Sequence, residues 1–279
     1  MFRALRAPVI HCHQQHIVAS SSAALYARLT RRKVFVSDLG GGGWDISAYL
    51  STDRWYHGHL HISQYSRQVA GHGDNPRAHV VYGGVDTTRF TPGATAGGQY
   101  VLFVGRLLAH KGINYLIEAL PDGMELRVIG RPYDTRFLAD LHRLAEGRWV
   151  TFYHEVDDHG LVEAYRRALC VALPSVYRDV YGGESRVPEL LGQTPLEGMA
   201  CGIPALVTDV ASLPEVVQDG ETGFVVPPNS PDALREKLLW LRDHRDETGA
   251  MGQRARAWVE ERFTWEAVVR SCFEAYESV

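Results

Sequence analysis

The chain has 279 residues, of which 45% are hydrophobic and 22% charged, and its formal net charge at pH 7 is −4. That length and composition are typical of a globular protein with room for two domains. The negative charge argues against a nucleic-acid binder, and no apolar run reaches the roughly 18–20 residues of a transmembrane helix. The four cysteines lie far apart and are typical of buried reduced thiols, which favours the cytoplasm: Cys12, Cys170, Cys201 and Cys272.

Short apolar runs alternate with a helical pattern through the first ninety residues. The pattern predicts a helix over 20–30 and strands over 8–13, 33–40 and 57–63. Residues 79–92 then predict a strand, a Gly-Gly turn and a linker that ends at a proline. These elements indicate a short α/β lobe, joined to the rest of the chain near residues 83–99.

The pattern becomes regular from residue 100. Near-continuous apolar strands that alternate with helices are typical of a parallel sheet covered on both faces, so a doubly wound α/β lobe is expected. The predicted strands are 100–105, 126–130, 150–153, 170–175, 203–209 and 223–228, and the predicted helices are 110–120, 135–146, 158–168 and the segment from 231 to 279.

Two motifs carry the chemistry. In "VGRLLAHKG" (104–112), Arg106 and Lys111 follow a strand that ends at Gly105, where open α/β sheets bind ligands, so the pair is predicted to hold a phosphate. Two solvated cations on a loop are the alternative. In "PELLGQTPLEGMACGIP" (188–204), a helix that begins near 194–195 offers free N–H groups to an anion. Glu197 is then suited to accept hydrogen bonds from sugar hydroxyls; a capped helix with two surface glutamates, Glu189 and Glu197, is the alternative.

These motifs, together with "GGVDTTRFTP" (83–92), resemble the retaining glycosyltransferases of family 4, the "glycosyl transferases group 1" type, from about residue 79 to 279. The resemblance implies an α/β fold with two Rossmann-like lobes, the GT-B architecture. Residues 1–90 would form a shortened, incomplete acceptor-side lobe and 91–263 the nucleotide-sugar donor lobe. Residues 264–279 would form a helix that packs back toward the first lobe.

The same resemblance implies roles for individual residues. Arg106 and Lys111 would contact the donor's diphosphate, Glu189 would lie by the donor sugar and Glu197 would bind the ribose. Arg106, Lys111 and Glu189 are thus the expected catalytic residues. The remaining donor-binding residues, several of them through backbone, are Gly105, Gly192, Gln193, Thr194, Pro195 and Leu196.

The implied reaction moves a sugar from a nucleotide-diphosphate sugar to an acceptor with retention, without a metal or a cofactor. The acceptor is open between a lipid carrier, a polysaccharide and a small metabolite, and peripheral membrane contact is an open alternative to a purely cytoplasmic enzyme. Two rival functions remain: a donor-binding lobe of a split or inactive enzyme that needs a partner chain, and a sugar-nucleotide epimerase or hydrolase.

The sequence departs from the family at residues 175–189, at His154, in the glycine-rich loop before Trp44 and at the family's first strand. Residues 175–189 are longer than usual and are either a lid or a surface insertion, and His154 replaces a usual glycine near the expected base site. In "VIHCHQQH" (9–16), His13 is expected on the acceptor side and His11 in the core, and no metal site is expected. Trp44, in a glycine-rich loop, is a second acceptor-side candidate, with a flexible connector as the alternative. Because the family's first strand and Gly loop are not found, the first ninety residues are expected to self-associate or to bind a partner chain.

Overall fold

A computed structural model describes residues 7–38, 52–93 and 98–279. The chain divides into two compact units: Met1–Gly83 with Glu266–Val279, and Gly84–Trp265. Residues 84–90, expected in the first lobe, fall in the second unit, because Val85 pairs with Thr264 and Phe90 packs edge-on against Tyr165.

The first unit is built on a parallel sheet in the order β1-β2-β3-β4. The strands are β1 (Val9–His13), β2 (Lys33–Asp38), β3 (Gly58–His61) and β4 (Ala78–Val80), and the helices are α1 (Val18–Leu29), α2 (Gln64–Val69) and the last helix of the chain, α10 (Trp265–Glu277). A 3₁₀ turn at Thr52–Trp55 precedes β3.

Alternate side chains of β2 build the two halves of this unit's core, as the period-two geometry of a strand requires. Val34 and Val36 pack with Ala24 and Ala27 of α1. Phe35, between them in sequence, packs on the opposite face with Leu60 and with Ala275 of α10. Helices therefore cover both faces of the sheet: α1 packs on one face and α10 on the other.

The second unit holds a six-stranded parallel sheet in the order β10-β9-β8-β5-β6-β7. Its strands are β5 (Tyr100–Val104), β6 (Leu126–Ile129), β7 (Val150–Tyr153), β8 (Ala168–Leu173), β9 (Ala205–Thr208) and β10 (Gly223–Val226). Its helices are α3 (Ile113–Ala119), α4 (Thr135–Leu144), α5 (Asp158–Arg167), α6 (Gln193–Ala200), α7 (Leu213–Val216), α8 (Pro231–Asp243) and α9 (Arg245–Arg262). The fold class is therefore α/β with two parallel sheets, as predicted.

Local sequence signals account for where these helices begin. Asp134 caps α4 by accepting from two backbone N–H groups, and Asp157 and Ser230 cap α5 and α8 by accepting from one each. The predicted helix over 110–120 is wrong in its first turn: residues 109–111 form a 3₁₀ turn, and α3 begins only after Gly112. Gly112 has φ +68°, and a methyl group there would lie 1.9 Å from the carbonyl oxygen of Pro174. This close approach separates the turn from the helix.

None of the helices in the described ranges combines the length and the apolar character needed to span a bilayer.

Candidate functional site

The strand order of the second unit reverses between β5 and β8. From β5 the chain moves outward to β6 and β7, whereas β8 lies on the other side of β5 and leads to β9 and β10. In open α/β sheets, the crevice beyond the carboxyl ends of the strands at such a reversal is the usual ligand site. The segments that leave β5 and β8 therefore form the candidate site.

Glycines bring the backbone together where β5 ends. Gly105 has φ +153°, and a methyl group on Gly130, which follows β6, would lie 1.7 Å from the carbonyl oxygen of Gly105. Arg106 emerges directly after this contact and is exposed, with its guanidinium carbon 5.9 Å from the centre of the Tyr133 ring. The guanidinium can therefore meet an anion at the carboxyl edge of the sheet.

Lys111 has a different setting from Arg106. Its ammonium forms an ion pair with Oε1 of Glu189, and the two side chains are only 13% and 9% exposed. The alternative of two solvated cations on a loop is thus wrong for Lys111. The reason is the contact between Gly112 and Pro174, which draws the 3₁₀ turn against the segment after β8, where Glu189 lies.

Glu189 is held by two donors on one oxygen. Besides Lys111, Ser175 donates from its hydroxyl to Glu189 Oε1 at 2.7 Å, and Ser175 is itself fully buried just beyond β8. Ser175 was not among the predicted site residues, because it fell inside the predicted strand 170–175, whereas in the structure β8 ends two residues earlier. His110, next to Lys111, has its pKa lowered by burial and by the Lys111 charge.

Helix α6 begins four residues after Glu189, so its amino end adjoins this region in the chain. Gly192 caps it with φ +94°, a left-handed conformation, and a methyl group there would overlap Leu213 at 2.8 Å. The helix starts at Gln193, one residue before the predicted 194–195. Gln193 is exposed, whereas Pro195 and Leu196 are buried and can offer a ligand only backbone. The first N–H groups of a helix have no intrahelical acceptor and attract anions.

Glu197 lies one turn into α6 and is half-buried. Its Oε2 accepts a hydrogen bond from the hydroxyl of the buried Tyr165 at 2.8 Å. Burial raises the pKa of Glu197 and raises that of Tyr165 well above its usual range. The alternative of two surface glutamates is therefore wrong, since Glu189 is buried and Glu197 is anchored by a tyrosine that the sequence did not single out.

Residues 175–189 form a folded excursion that packs on its own unit. Ser185 N–H donates to the Tyr177 carbonyl at 2.8 Å, and the Tyr181 hydroxyl donates to Asp140 on α4. Arg136 lies over the Tyr181 ring at 4.3 Å. The middle of this segment is thus bound to α4 through Tyr181. Its two arginines, Arg178 and Arg186, are exposed.

His154, which replaces the family's usual glycine, is exposed after β7. Its Nδ1 lies 3.1 Å from the Gly130 carbonyl oxygen, so the ring shares the loop region beyond β6.

Two candidates from the first unit can be located. His13 is exposed at the carboxyl end of β1. His11 is half-buried and uses both ring nitrogens, one 2.7 Å from the Ser37 hydroxyl and the other 2.7 Å from the Tyr276 hydroxyl. Those hydrogen bonds leave His11 without a free nitrogen for a metal. Trp44 lies outside the described residues.

Comparison with known proteins places the chain among relatives of known type. It is 30% identical over 236 residues to the alpha-maltose-1-phosphate synthase of Mycolicibacterium smegmatis, covering 74% of this chain and 58% of that protein. It is also 30% identical over 227 residues to the GDP-mannose-dependent alpha-(1-6)-phosphatidylinositol monomannoside mannosyltransferase of Mycobacterium tuberculosis, with the same two coverages. The chain thus spans 58% of the length of these curated relatives.

The fold has a counterpart among solved structures. HepE of Anabaena, in complex with UDP, superposes with a TM-score of 0.80 at 18% sequence identity, covering 100% of this chain and 80% of that one. The family described as "Glycosyl transferases group 1" matches residues 85–258, which contain Arg106, Lys111, Glu189 and Glu197. The chain therefore belongs to the group 1 glycosyl transferases.

Proposed function

We propose that this protein transfers a sugar from a nucleotide-diphosphate sugar to an acceptor, with retention of the anomeric configuration. The observation that carries the proposal is the convergence, at the carboxyl ends of β5 and β8, of Arg106, the Lys111–Glu189 pair and the amino end of α6. Membership of the group 1 family supports it, as do a relative that is GDP-mannose-dependent and a structural neighbour that holds UDP.

The leaving diphosphate gathers negative charge as the sugar departs. In our proposal the exposed guanidinium of Arg106 and the first N–H groups of α6 bind that charge, and Lys111 contributes its field from a less exposed position. Preorganised donors of this kind stabilise developing charge strongly, and the loss of one typically raises the barrier by about 2.7–4 kcal/mol. These groups would supply the stabilisation without a metal ion or a cofactor.

The two glutamates would have different tasks. Glu197 has one carboxylate oxygen engaged by Tyr165, and its other oxygen would accept hydrogen bonds from the ribose hydroxyls. Glu189 is fixed by Lys111 and Ser175 and would lie beside the donor sugar, where a carboxylate that cannot rotate freely orients the sugar ring. The acceptor would then attack from the face that the diphosphate leaves.

We further propose a cytoplasmic enzyme that uses a lipid carrier, a polysaccharide or a small metabolite as acceptor. All four cysteines lie in the described ranges as free thiols, which suits a reducing compartment. His13 and Trp44 remain the proposed acceptor-side residues, and peripheral membrane contact would follow from a lipid acceptor.

The test is incubation of the protein with UDP-, GDP- and ADP-sugars, singly and with acceptor extracts, while free nucleotide and labelled product are measured. We expect nucleotide release that depends on the acceptor, and an α-linked product from an α-linked donor by NMR. Acceptor-independent release of free sugar would instead identify a hydrolase. Inverted product, or activity that is lost with EDTA and restored only by Mg²⁺ or Mn²⁺, would contradict the mechanism.

A further inference from the structure

Three histidines and an aspartate lie close together in the first unit. Asp53 lies on the 3₁₀ turn before β3, His59 and His61 lie on β3, and His72 lies in the loop after α2. We call these four residues the histidine cluster. One potential ligand atom from each of Asp53, His59 and His72 lies within 4.8 Å of the other two.

His59 Nε2 lies 3.3 Å from the backbone carbonyl oxygen of Asp53, whereas the separation between His72 and the Asp53 carboxylate suits an ion better than a hydrogen bond. The His72 Nε2 to Asp53 Oδ2 distance is 3.8 Å, which is beyond the range of a hydrogen bond. Zn²⁺ with bonds of about 2.0–2.1 Å sets its tetrahedral ligand atoms about 3.3 Å apart. A movement of about half an ångström would therefore bring these two atoms to metal-binding separation, and the Asp53 side chain, which is 52% exposed, has space on its solvent side.

His72 and Asp53 each have a hydrogen-bond partner on the atom that would not bind the ion. His61 Nε2 lies 2.9 Å from His72 Nδ1, so a proton on Nδ1 leaves the lone pair of Nε2 facing Asp53. Gln15 donates to the other carboxylate oxygen of Asp53. Metal-bound histidines and carboxylates usually have partners of this kind, which fix the tautomer and the ligand orientation.

The loop that carries His72 is fixed as well. Arg67 donates from Nε to the carbonyl of His72 at 3.1 Å and from Nη2 to the carbonyl of Asn75 at 3.3 Å. His59 is 1% exposed and His72 8% exposed, so both imidazoles are held in a dry environment, whereas Asp53 gives access from solvent. Two of the three proposed ligands are therefore buried and fixed in place, and an ion would enter from the side of Asp53.

We propose that Asp53, His59 and His72 bind a divalent transition-metal ion, with His61 and Gln15 as orienting partners. Two imidazoles and one carboxylate are typical ligands of Zn²⁺ and its neighbours, whereas Ca²⁺ and Mg²⁺ take all-oxygen sets. The ion would join the 3₁₀ turn, β3 and the loop after α2, and so stabilise the first unit. The site lies outside the donor-binding machinery, so it does not depend on the proposed transfer reaction.

Metal binding to the tag-free full chain tests the proposal. We expect calorimetry to find one tight Zn²⁺ equivalent, Mg²⁺ to give no saturable binding, and Zn²⁺ to raise the midpoint of thermal unfolding. Bound Co²⁺ should show the visible absorption of a low-coordinate nitrogen and oxygen site. His61→Gln, which removes only an orienting partner, should weaken Zn²⁺ binding roughly 10–100-fold, and His72→Gln should weaken it further.

Matched variants guard against adventitious binding and misfolding. His159→Gln removes an exposed imidazole from the second unit and should bind Zn²⁺ like the wild type. Asp53→Asn changes a half-exposed side chain, so it should retain the wild-type circular dichroism spectrum and still lose affinity. The proposal is wrong if a folded Asp53→Asn and a folded His72→Gln both bind Zn²⁺ as tightly as the His159→Gln control, or if the wild type binds no stoichiometric ion.

Discussion

Lys111 and Glu189 lie 78 residues apart in the sequence and form an ion pair that is largely removed from solvent. The pair connects the segment after β5 with the segment after β8, and Ser175, two residues beyond β8, donates to the same carboxylate oxygen as Lys111. A buried charge that loses its partner is strongly destabilising, typically by about 3–5 kcal/mol. Lys111 therefore has a structural task as well as its proposed task at the diphosphate.

Alanine substitution of the two proposed diphosphate ligands should change the stability of the protein to different extents. Lys111→Ala leaves Glu189 buried without its cation, so we expect a loss of about 3–5 kcal/mol in the free energy of unfolding together with weaker UDP or GDP binding. Arg106→Ala removes an exposed charge and should weaken nucleotide binding at nearly unchanged stability. Denaturant unfolding and calorimetry measure the two effects. Equal stability losses in both variants would contradict the burial argument, and unchanged nucleotide affinity in both would remove the diphosphate role.

Substitution of Glu197 and of Glu189 by glutamine should affect different kinetic constants. Glu197→Gln weakens the acceptor that we assign to the ribose, so the KM for the donor should rise with a smaller change in kcat. Glu189→Gln should lower kcat more than it raises KM, because it releases the carboxylate that Lys111 and Ser175 fix beside the sugar. The comparison uses steady-state rates measured at temperatures below the onset of unfolding of each variant. Parallel changes in both constants in both variants would argue against distinct roles.

Gly112 should be far less tolerant of alanine than Gly123. Both have a left-handed backbone, at φ +68° and +74°, so alanine strains each by about 1–2 kcal/mol. A methyl group at Gly123 would meet nothing within 4 Å, whereas one at Gly112 would meet the Pro174 carbonyl at 1.9 Å. We expect Gly112→Ala to lose about 1–3 kcal/mol more in unfolding free energy. A difference near zero between the two variants would mean that the contact with Pro174 is easily relaxed.

The first unit should become less stable on acidification through the titration of His11. Burial, and then the charge of His13, lowers the pKa of His11 from 6.5 to about 4. Between these values the unfolded chain binds the extra proton, so this contribution to stability is complete above pH 6.5 and is lost as the pH falls toward 4. His11→Gln should therefore show a smaller drop in thermal midpoint between pH 7 and pH 5 than the wild type. His159→Gln serves as the control, and a drop in His11→Gln as large as that of this control would refute the assignment.

Much of the fold followed from apolar periodicity. The six strands of the second unit and the four of the first lie where they were predicted, in most cases because a strand covered on both faces is apolar along its length. β3 is the exception, since it buries His59 and His61. The motifs at 83–92, 104–112 and 188–204 predicted membership of the group 1 family. The match of that family to residues 85–258 confirmed it. Local pattern was sufficient for these features.

Features that depend on distant partners were beyond the sequence. Nothing near Lys111 indicates that its ammonium turns toward a carboxylate 78 residues away, and nothing near Glu197 indicates that Tyr165 supports it. Likewise, "HGHLHIS" was recognised only as a strand. The proximity of His59 and His61 to His72 depends on how the loop after α2 returns to β3.

The first unit is discontinuous along the chain, since Glu266–Val279 belongs to it. Tyr276 meets His11 and Lys33 donates to the carbonyl of Tyr276, contacts that span 265 and 243 residues. On the ribosome, residues 84–265 emerge before the segment that completes the first sheet's second face. Phe35 and Leu60 therefore lack their cover on that face until α10 has been synthesised and has docked. The first unit thus closes through contacts between the two ends of the described chain, and because contacts of such long sequence separation form slowly, we expect it to be the slower half to fold.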